Sequence, residues 1–195
     1  MITHDVVRQL ADCFGAESFI EPAGSGVEYR FHVSRISRSR TPMEIRRATE
    51  RDAAAIRGLI DLYVADGTLL PRTEEFIASH ADHFVVAVRG DRVVGCAHLD
   101  EYAPSLAELR SLAVAPDAQG SGVGRALVAA VEDLARRRGY GTVFAVSNDE
   151  EFFGKHGFLP RHIPELDRER SEVSKYKGVY AKDMGDGKAG DGPGC

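Results

Sequence analysis

The 195-residue sequence has no tryptophan, only three cysteines, and no apolar run approaching the ~20 residues that a membrane-spanning helix needs. Each shortage excludes something. Cys13, Cys96 and Cys195 are odd in number and form no Cys-x-x-Cys pair, which argues against a disulfide framework or a zinc knuckle and for a reducing compartment. Positive charge is also short: 25 lysines and arginines face 30 aspartates and glutamates, a net charge of -5, so no general nucleic-acid footprint is expected. The opening stretch from Met1 to Arg8 lacks the apolar core of a signal peptide. Together these shortages make the cytoplasm the expected location and a membrane association unexpected. No internal repeat is visible. What is present, 43% hydrophobic and 28% charged residues, suits one soluble globular domain with a real core.

Three regions differ in character. In residues 1–41, Val6, Val7, Leu10 and Phe14 have helical spacing, and Val27, Tyr29, Phe31 and Val33 alternate as on a strand. A helix, a hairpin and an arginine-bearing linker are expected there. From Met43 the pattern becomes orderly. A strand over 43–47 precedes a helix opened by Thr49 and Asp52, and Thr73 caps a second helix. Two strands follow, over 84–88 and 93–97, with Arg89-Gly90-Asp91 as their turn, and then a strand over 106–114. After a glycine-rich loop, Val123, Leu127, Ala130, Val131 and Leu134 mark one helix face, and Arg136 to Arg138 suit that helix's negative end. A strand over 142–146, a helix opened by a Ser147/Glu150 capping box and a strand over 179–181 complete the pattern. Residues 185–195 are mostly Gly, Asp, Lys and Pro and are expected to be disordered. The order predicts a mixed α+β domain with antiparallel hairpins first and a helical crossover later.

The informative segment runs from Leu112-Ala113-Val114 through Gln119-Gly120-Ser121-Gly122-Val123-Gly124-Arg125. An apolar strand enters a glycine-rich turn that opens an amphipathic helix. Glycines let a ligand approach the backbone closely, and a helix N-terminus presents N–H groups and partial positive charge, which suits a pyrophosphate. No Gly-Lys-Ser/Thr follows, so this is not a P-loop. A third glycine at the dinucleotide spacing is missing as well, since Arg125 follows Gly124.

With Pro116, Asn148 and the run Phe152-Phe153-Gly154-Lys155-His156-Gly157-Phe158, this segment resembles the GNAT acetyltransferases, whose coenzyme A loop reads Gln/Arg-x-x-Gly-x-Gly/Ala. The resemblance covers residues 43–184. It implies a central, mostly antiparallel twisted sheet with flanking helices and a splayed strand pair that holds coenzyme A. It further implies acetyl-CoA as co-substrate and no metal. Backbone groups of Leu112 and Val114, with Ala113 between them, would hold the pantetheine arm, and the Leu112 N–H would face the thioester carbonyl. N–H groups from Gln119 through Gly124 and Arg125 would bind the pyrophosphate. Asn148 and Phe153 would line the pantetheine slot. A homodimer is a family-level expectation.

Amide formation needs a deprotonated amine, hence a base. Glu108 lies four residues before Leu112, so simple alternation puts the two, and Arg110, on one strand face. A glutamate here is the base in many GNAT enzymes. Phe152 and Phe153 stand where many members place a tyrosine acid; Tyr176, Tyr180, a water or the product ammonium remain open. Cys96, inside an apolar strand, reads as a buried structural thiol rather than an acyl carrier. His80 and His83 have metal-like spacing but no third ligand, so solvated histidines are expected. The connection from Tyr63 to Glu75, with the Ala107–Val114 and Phe152–Phe158 stretches, is similar to stand-alone bacterial N-acetylglutamate synthases. That likeness implies a small-molecule acceptor, glutamate above others. Its two carboxylates call for arginine forks, for which Arg72 and Arg110 are the candidates, against the alternative that Arg72 is a solvated loop residue. Two other readings stay open: acetylation of protein N-termini, lysines or another small amine, and a non-catalytic acetyl-CoA-sensing module.

Overall fold

The computed structural model describes residues 42–168 and 177–185. The helix, hairpin and linker expected over residues 1–41, Tyr176, and the tail beyond Gly185 lie outside the described residues.

β1 (Met43–Arg47) leads through a 3-10 turn (Glu50–Asp52) into α1 (Ala53–Val64), followed by α2 (Glu74–Ser79). The Asp52 carboxylate fastens this corner. It accepts from the backbone N–H and hydroxyl of Thr49 at 2.7 and 2.9 Å and takes two hydrogen bonds of 2.8 Å from Arg46. The Arg46 bonds, ahead of those from Thr49, hold its carboxyl down to about 2. The stability it lends is therefore in place above the ordinary carboxylate range and is lost as pH falls towards 2. Thr73 caps α2 as expected, accepting from the Phe76 N–H at 3.1 Å.

β2 (Phe84–Arg89) and β3 (Arg92–Ala103) form a hairpin that turns at Gly90, whose φ of 61° suits a residue without a Cβ. β4 (Leu106–Val114) pairs back on β3. α3 (Val123–Arg137) then crosses over to β5 (Thr142–Ser147), which is followed by α4 (Glu150–Lys155), β6 (Leu159–Pro160) and β7 (Gly178–Asp183). The sheet order is β1-β2-β3-β4-β5-β7-β6. All neighbours are antiparallel except β4 and β5. This is the mixed α+β, mostly antiparallel sheet that the sequence predicts.

The periodic face of α3 is buried at Val123, Leu127, Val131 and Leu134, with Ala130 only partly covered and Val128 and Ala135 added. It sits tightly on β3 at Gly95, where a Cβ would come within 2.9 Å of Leu127 and Val123, so glycine is what permits this approach. Two local expectations need correction. α4 is capped by Asp149, which accepts from the Phe152 N–H at 2.9 Å, rather than by Ser147. Ser147 Oγ instead accepts from the Asp149 N–H at 3.0 Å. The short strand β6, two residues beside β7, had no sequence signal.

The third correction concerns β4. Cys96 pairs with Ala113 and His98 with Arg110, so two residues on β4, Ser111 and Leu112, oppose one on β3. Ser111 takes φ 51°, in the left-handed region. This bulge shifts the alternation by one. Asp100 faces Glu108 and His98 faces Arg110, as simple alternation requires, but beyond the bulge Ala113 shares their face and Leu112 falls on the other.

Candidate active site

β4 and β5 pair only at their beginnings, Leu106 with Thr142, Ala107 with Val143 and Glu108 with Phe144. Beyond Glu108 they part, and the bulge lies in the stretch of β4 that has lost this partner. A cleft of about 1010 Å³ opens there, reaching from the α1–α2 connection, past β4, to the N-terminal end of α3. Ala113 is 2% exposed and packs in the core, so it does not face the cleft. The Ser121 hydroxyl is turned to the Ala118 carbonyl at 2.6 Å. The cleft lining takes in the other residues singled out from the sequence: Arg72, Glu108, Arg110, Leu112, Val114, Gln119, Gly120, Gly122, Val123, Gly124, Arg125, Asn148 and Phe153.

At one end, Val114 gives way to a 3-10 turn (Pro116–Ala118) and then to Gly120 and Gly122, with φ 68° and 87°. Gly122 caps α3 without a side chain, leaving the first-turn N–H groups without intrahelical partners, at the positive end of a 15-residue helix. A Cβ on Gly124 would lie 3.3 Å from the Phe152 ring, so this face of the helix stays close to α4. One contact here has no counterpart among the sequence expectations, which named Tyr63 only as the start of the α1–α2 connection. The Tyr63 hydroxyl, from α1, donates to the Val114 carbonyl and accepts from Gln119 Nε2 at 2.7 Å. It ties the end of β4 to the glycine loop across more than fifty residues of chain, a contact no local pattern announces.

The other end is charged. Glu108 is 8% exposed. Burial pushes its carboxyl up to about 7; Arg110 opposes that rise, Asp100 adds to it, and Arg72 opposes it. Arg110 Nη1 donates to Asp100 at 2.7 Å, and its Nε lies 3.6 Å from Glu108. Arg72 is half-buried, with its guanidinium 5.3 Å from the centre of the Phe76 ring. Burial, then Arg110, lowers its pKa. Among the described residues, the buried side-chain nitrogens without a hydrogen-bond partner are Arg72 Nε and both ring nitrogens of His98. His98 is stacked on Phe84 with ring centres 4.3 Å apart, and burial brings its pKa down to about 4, so it is neutral at pH 7. Its stacking on Phe84 is likewise unannounced, because a lone histidine in an apolar strand carries no signal of its neighbours.

The remaining candidates settle simply. Cys96 is fully buried, and burial pushes its thiol up to about 12, so it is neither accessible nor ionised. His80 and His83 are half-buried rather than solvated. The first bonds the Phe76 carbonyl at 2.9 Å, and the second contacts Arg138 at 2.8 Å. Among the described residues no cluster of histidine, cysteine and carboxylate side chains is placed to hold a metal ion, and no helix is long and apolar enough to cross a membrane. Phe153 is buried, and Tyr180 stacks parallel to it at 6.1 Å, also buried and away from the cleft lining.

A buried carboxylate beside two arginines, at the parting of two parallel strands and in one cleft with a glycine-capped helix N-terminus, defines an acyl-transfer type of site. Residues 53–158 match the acetyltransferase (GNAT) family. An uncharacterised N-acetyltransferase of Chlorobaculum tepidum is 35% identical over 114 residues, 58% of this chain and 74% of that relative. The amino-acid acetyltransferase of Ralstonia nicotianae is 34% identical over 142 residues, 71% of this chain and 32% of the relative. Among solved structures, the N-acetylglutamate synthase from Neisseria gonorrhoeae complexed with coenzyme A and N-acetyl-glutamate superposes with a TM-score of 0.68 and 31% identity, covering 73% of this chain and 35% of that one. The chain thus spans about a third of the length of these last two proteins. The chain belongs to the GNAT acetyltransferase family and is an acyltransferase.

Proposed function

We propose that residues 43–184 form an acetyl-CoA-dependent N-acetyltransferase acting on the α-amine of an amino acid, with glutamate favoured, the reaction that opens arginine biosynthesis. The observation that carries this reading is Glu108: a buried carboxyl held near 7, flanked by two arginines and set where β4 and β5 part. Relatives named amino-acid acetyltransferase and the gonococcal synthase support the choice of acceptor.

The residues present fit coenzyme A. The first-turn N–H groups of α3 and the turn from Gln119 through Gly124 suit its pyrophosphate, with Arg125 beside them. The stretch of β4 from Leu112 to Val114, which has β3 on one side but no β5 partner on the other, suits the amides of the pantetheine arm, opposite Asn148 and Phe153. This fit depends on the backbone, so it survives the displacement of the Leu112 side chain to the other face. Coenzyme A supplies the acetyl group as a thioester. Arg72 holds the acceptor's α-carboxylate. Glu108 takes a proton from the α-ammonium, freeing the nitrogen lone pair to attack the thioester carbonyl carbon directly. The Leu112 N–H receives the charge that develops on the carbonyl oxygen. The C–N bond forms, the C–S bond breaks, and the second proton that the nitrogen sheds in becoming an amide goes to the departing thiolate, giving free thiol.

Tyr63 positions the donor end, since its hydroxyl links Val114 to Gln119. In Tyr63→Phe, the KM for acetyl-CoA is expected to rise about three- to tenfold, with kcat changed less than about twofold, as befits the loss of roughly 1 kcal/mol of ordering. Steady-state rates at varied acetyl-CoA check this. The function itself is tested by incubating the protein with acetyl-CoA, an equimolar mixture of amino acids and a peptide, followed by mass spectrometry. Acetylated amino acids, N-acetylglutamate foremost, are expected. Acetylated peptide alone would overturn the acceptor assignment.

A further inference from the structure

The two arginines at the acceptor end are not equivalent. Arg72 arrives on the α1–α2 connection and has no carboxylate within ion-pair distance among the described residues. Its Nε is buried and unpartnered. A carboxylate arriving there displaces no protein anion. Arg110 is already engaged. Asp100 stands beside it on the neighbouring strand, diagonal to it in the register, and accepts from Nη1 at 2.7 Å, while Glu108 lies 3.6 Å from Nε. A second acceptor carboxylate that reaches Arg110 must compete with Asp100 and lies close to its negative charge. Discrimination between ligands is a difference of affinities, and a resident anion of this kind acts against the more negative ligand.

We infer that Asp100 is a specificity-determining residue: by holding Arg110 it lowers the cleft's preference for a dicarboxylic amino acid over a neutral amino acid of the same shape. The inference rests on the proposed function, because it needs an amino acid in this cleft. Asp100 and Arg110 have side chains about a third exposed, so the pair is expected to add little to stability and its removal to leave a folded protein, which thermal unfolding checks.

Glutamate and glutamine are near-isosteres that differ by one charge, and both use the same base. The ratio of their kcat/KM values therefore cancels any effect of Asp100 on Glu108. In Asp100→Asn this ratio is expected to rise about tenfold in favour of glutamate, through a lower KM for glutamate. Asp100→Glu keeps the anion and is expected to keep the wild-type ratio within about twofold. Adding Arg110→Gln to Asp100→Asn is expected to abolish the gain, since the effect runs through Arg110. An unchanged ratio in Asp100→Asn, with both amino acids turned over by the wild type, would overturn the inference and leave the proposed function standing. Failure of the wild type to acetylate any amino acid would overturn both.

Discussion

Glu108→Gln is expected to lower kcat by about 10²–10⁴-fold, the range over which a positioned general base acts, while making the protein more stable above pH 7. Both effects follow from one fact: a carboxyl whose ordinary value is 4.5 is pushed up to about 7, mainly by burial. Between these values the folded chain holds a proton that the unfolded chain has released. Stability therefore falls as pH rises through this window, and the deficit persists above 7. This is the reverse of an ion-paired carboxylate such as Asp52. Glutamine keeps the shape without the charge, and its gain at pH 8.5 is about 1–3 kcal/mol, shrinking towards zero below pH 4.5. Thermal unfolding of both proteins at pH 5 and 8.5 checks the stability arm. The activity arm is a pH profile: wild-type kcat/KM climbs through about pH 7 on its acid side, and that climb disappears in the variant. A variant with near-wild-type turnover would remove Glu108 from the chemistry.

Arg72→Gln is the second large effect. A half-buried guanidinium with an unpartnered nitrogen is poised to form charge-assisted hydrogen bonds, each worth about 1.5–3 kcal/mol. The KM for the amino acid is expected to rise about a hundredfold. A second consequence separates Arg72 from a simple binding residue. Its positive charge restrains the rise of the Glu108 carboxyl, so removing it moves the acid limb of the pH profile to higher pH. Steady-state kinetics at several pH values read both. An unchanged KM would mean that the acceptor does not meet Arg72.

Much of this site is legible in the sequence, for identifiable reasons. Helix α3 and the strands announce themselves through periodicity, and the glycines at 120 and 122 through the left-handed backbone they adopt. Glu108 stands out as a carboxylate in an apolar strand. The bulge does not, because its key residue, Ser111, adopts φ 51° although serine gives no hint of it. That single residue moves Leu112 off the face of Glu108. The engagement of Arg110 by Asp100 depends on the β3–β4 register, which no local pattern of residues announces. Tyr63 and His98 carry no signal because their partners lie far along the chain.

The most direct measurement is thiol release from acetyl-CoA by the wild-type protein, with glutamate, with an amine of similar size that lacks carboxylates, with a peptide, and with no acceptor. Rapid release with glutamate, little with the carboxylate-free amine or the peptide, and none without an acceptor is the expected result. It would unite Glu108 and Arg72 in one reaction by direct transfer. Release that is as fast with the carboxylate-free amine or the peptide, or no release with any acceptor, would contradict an amino-acid acetyltransferase.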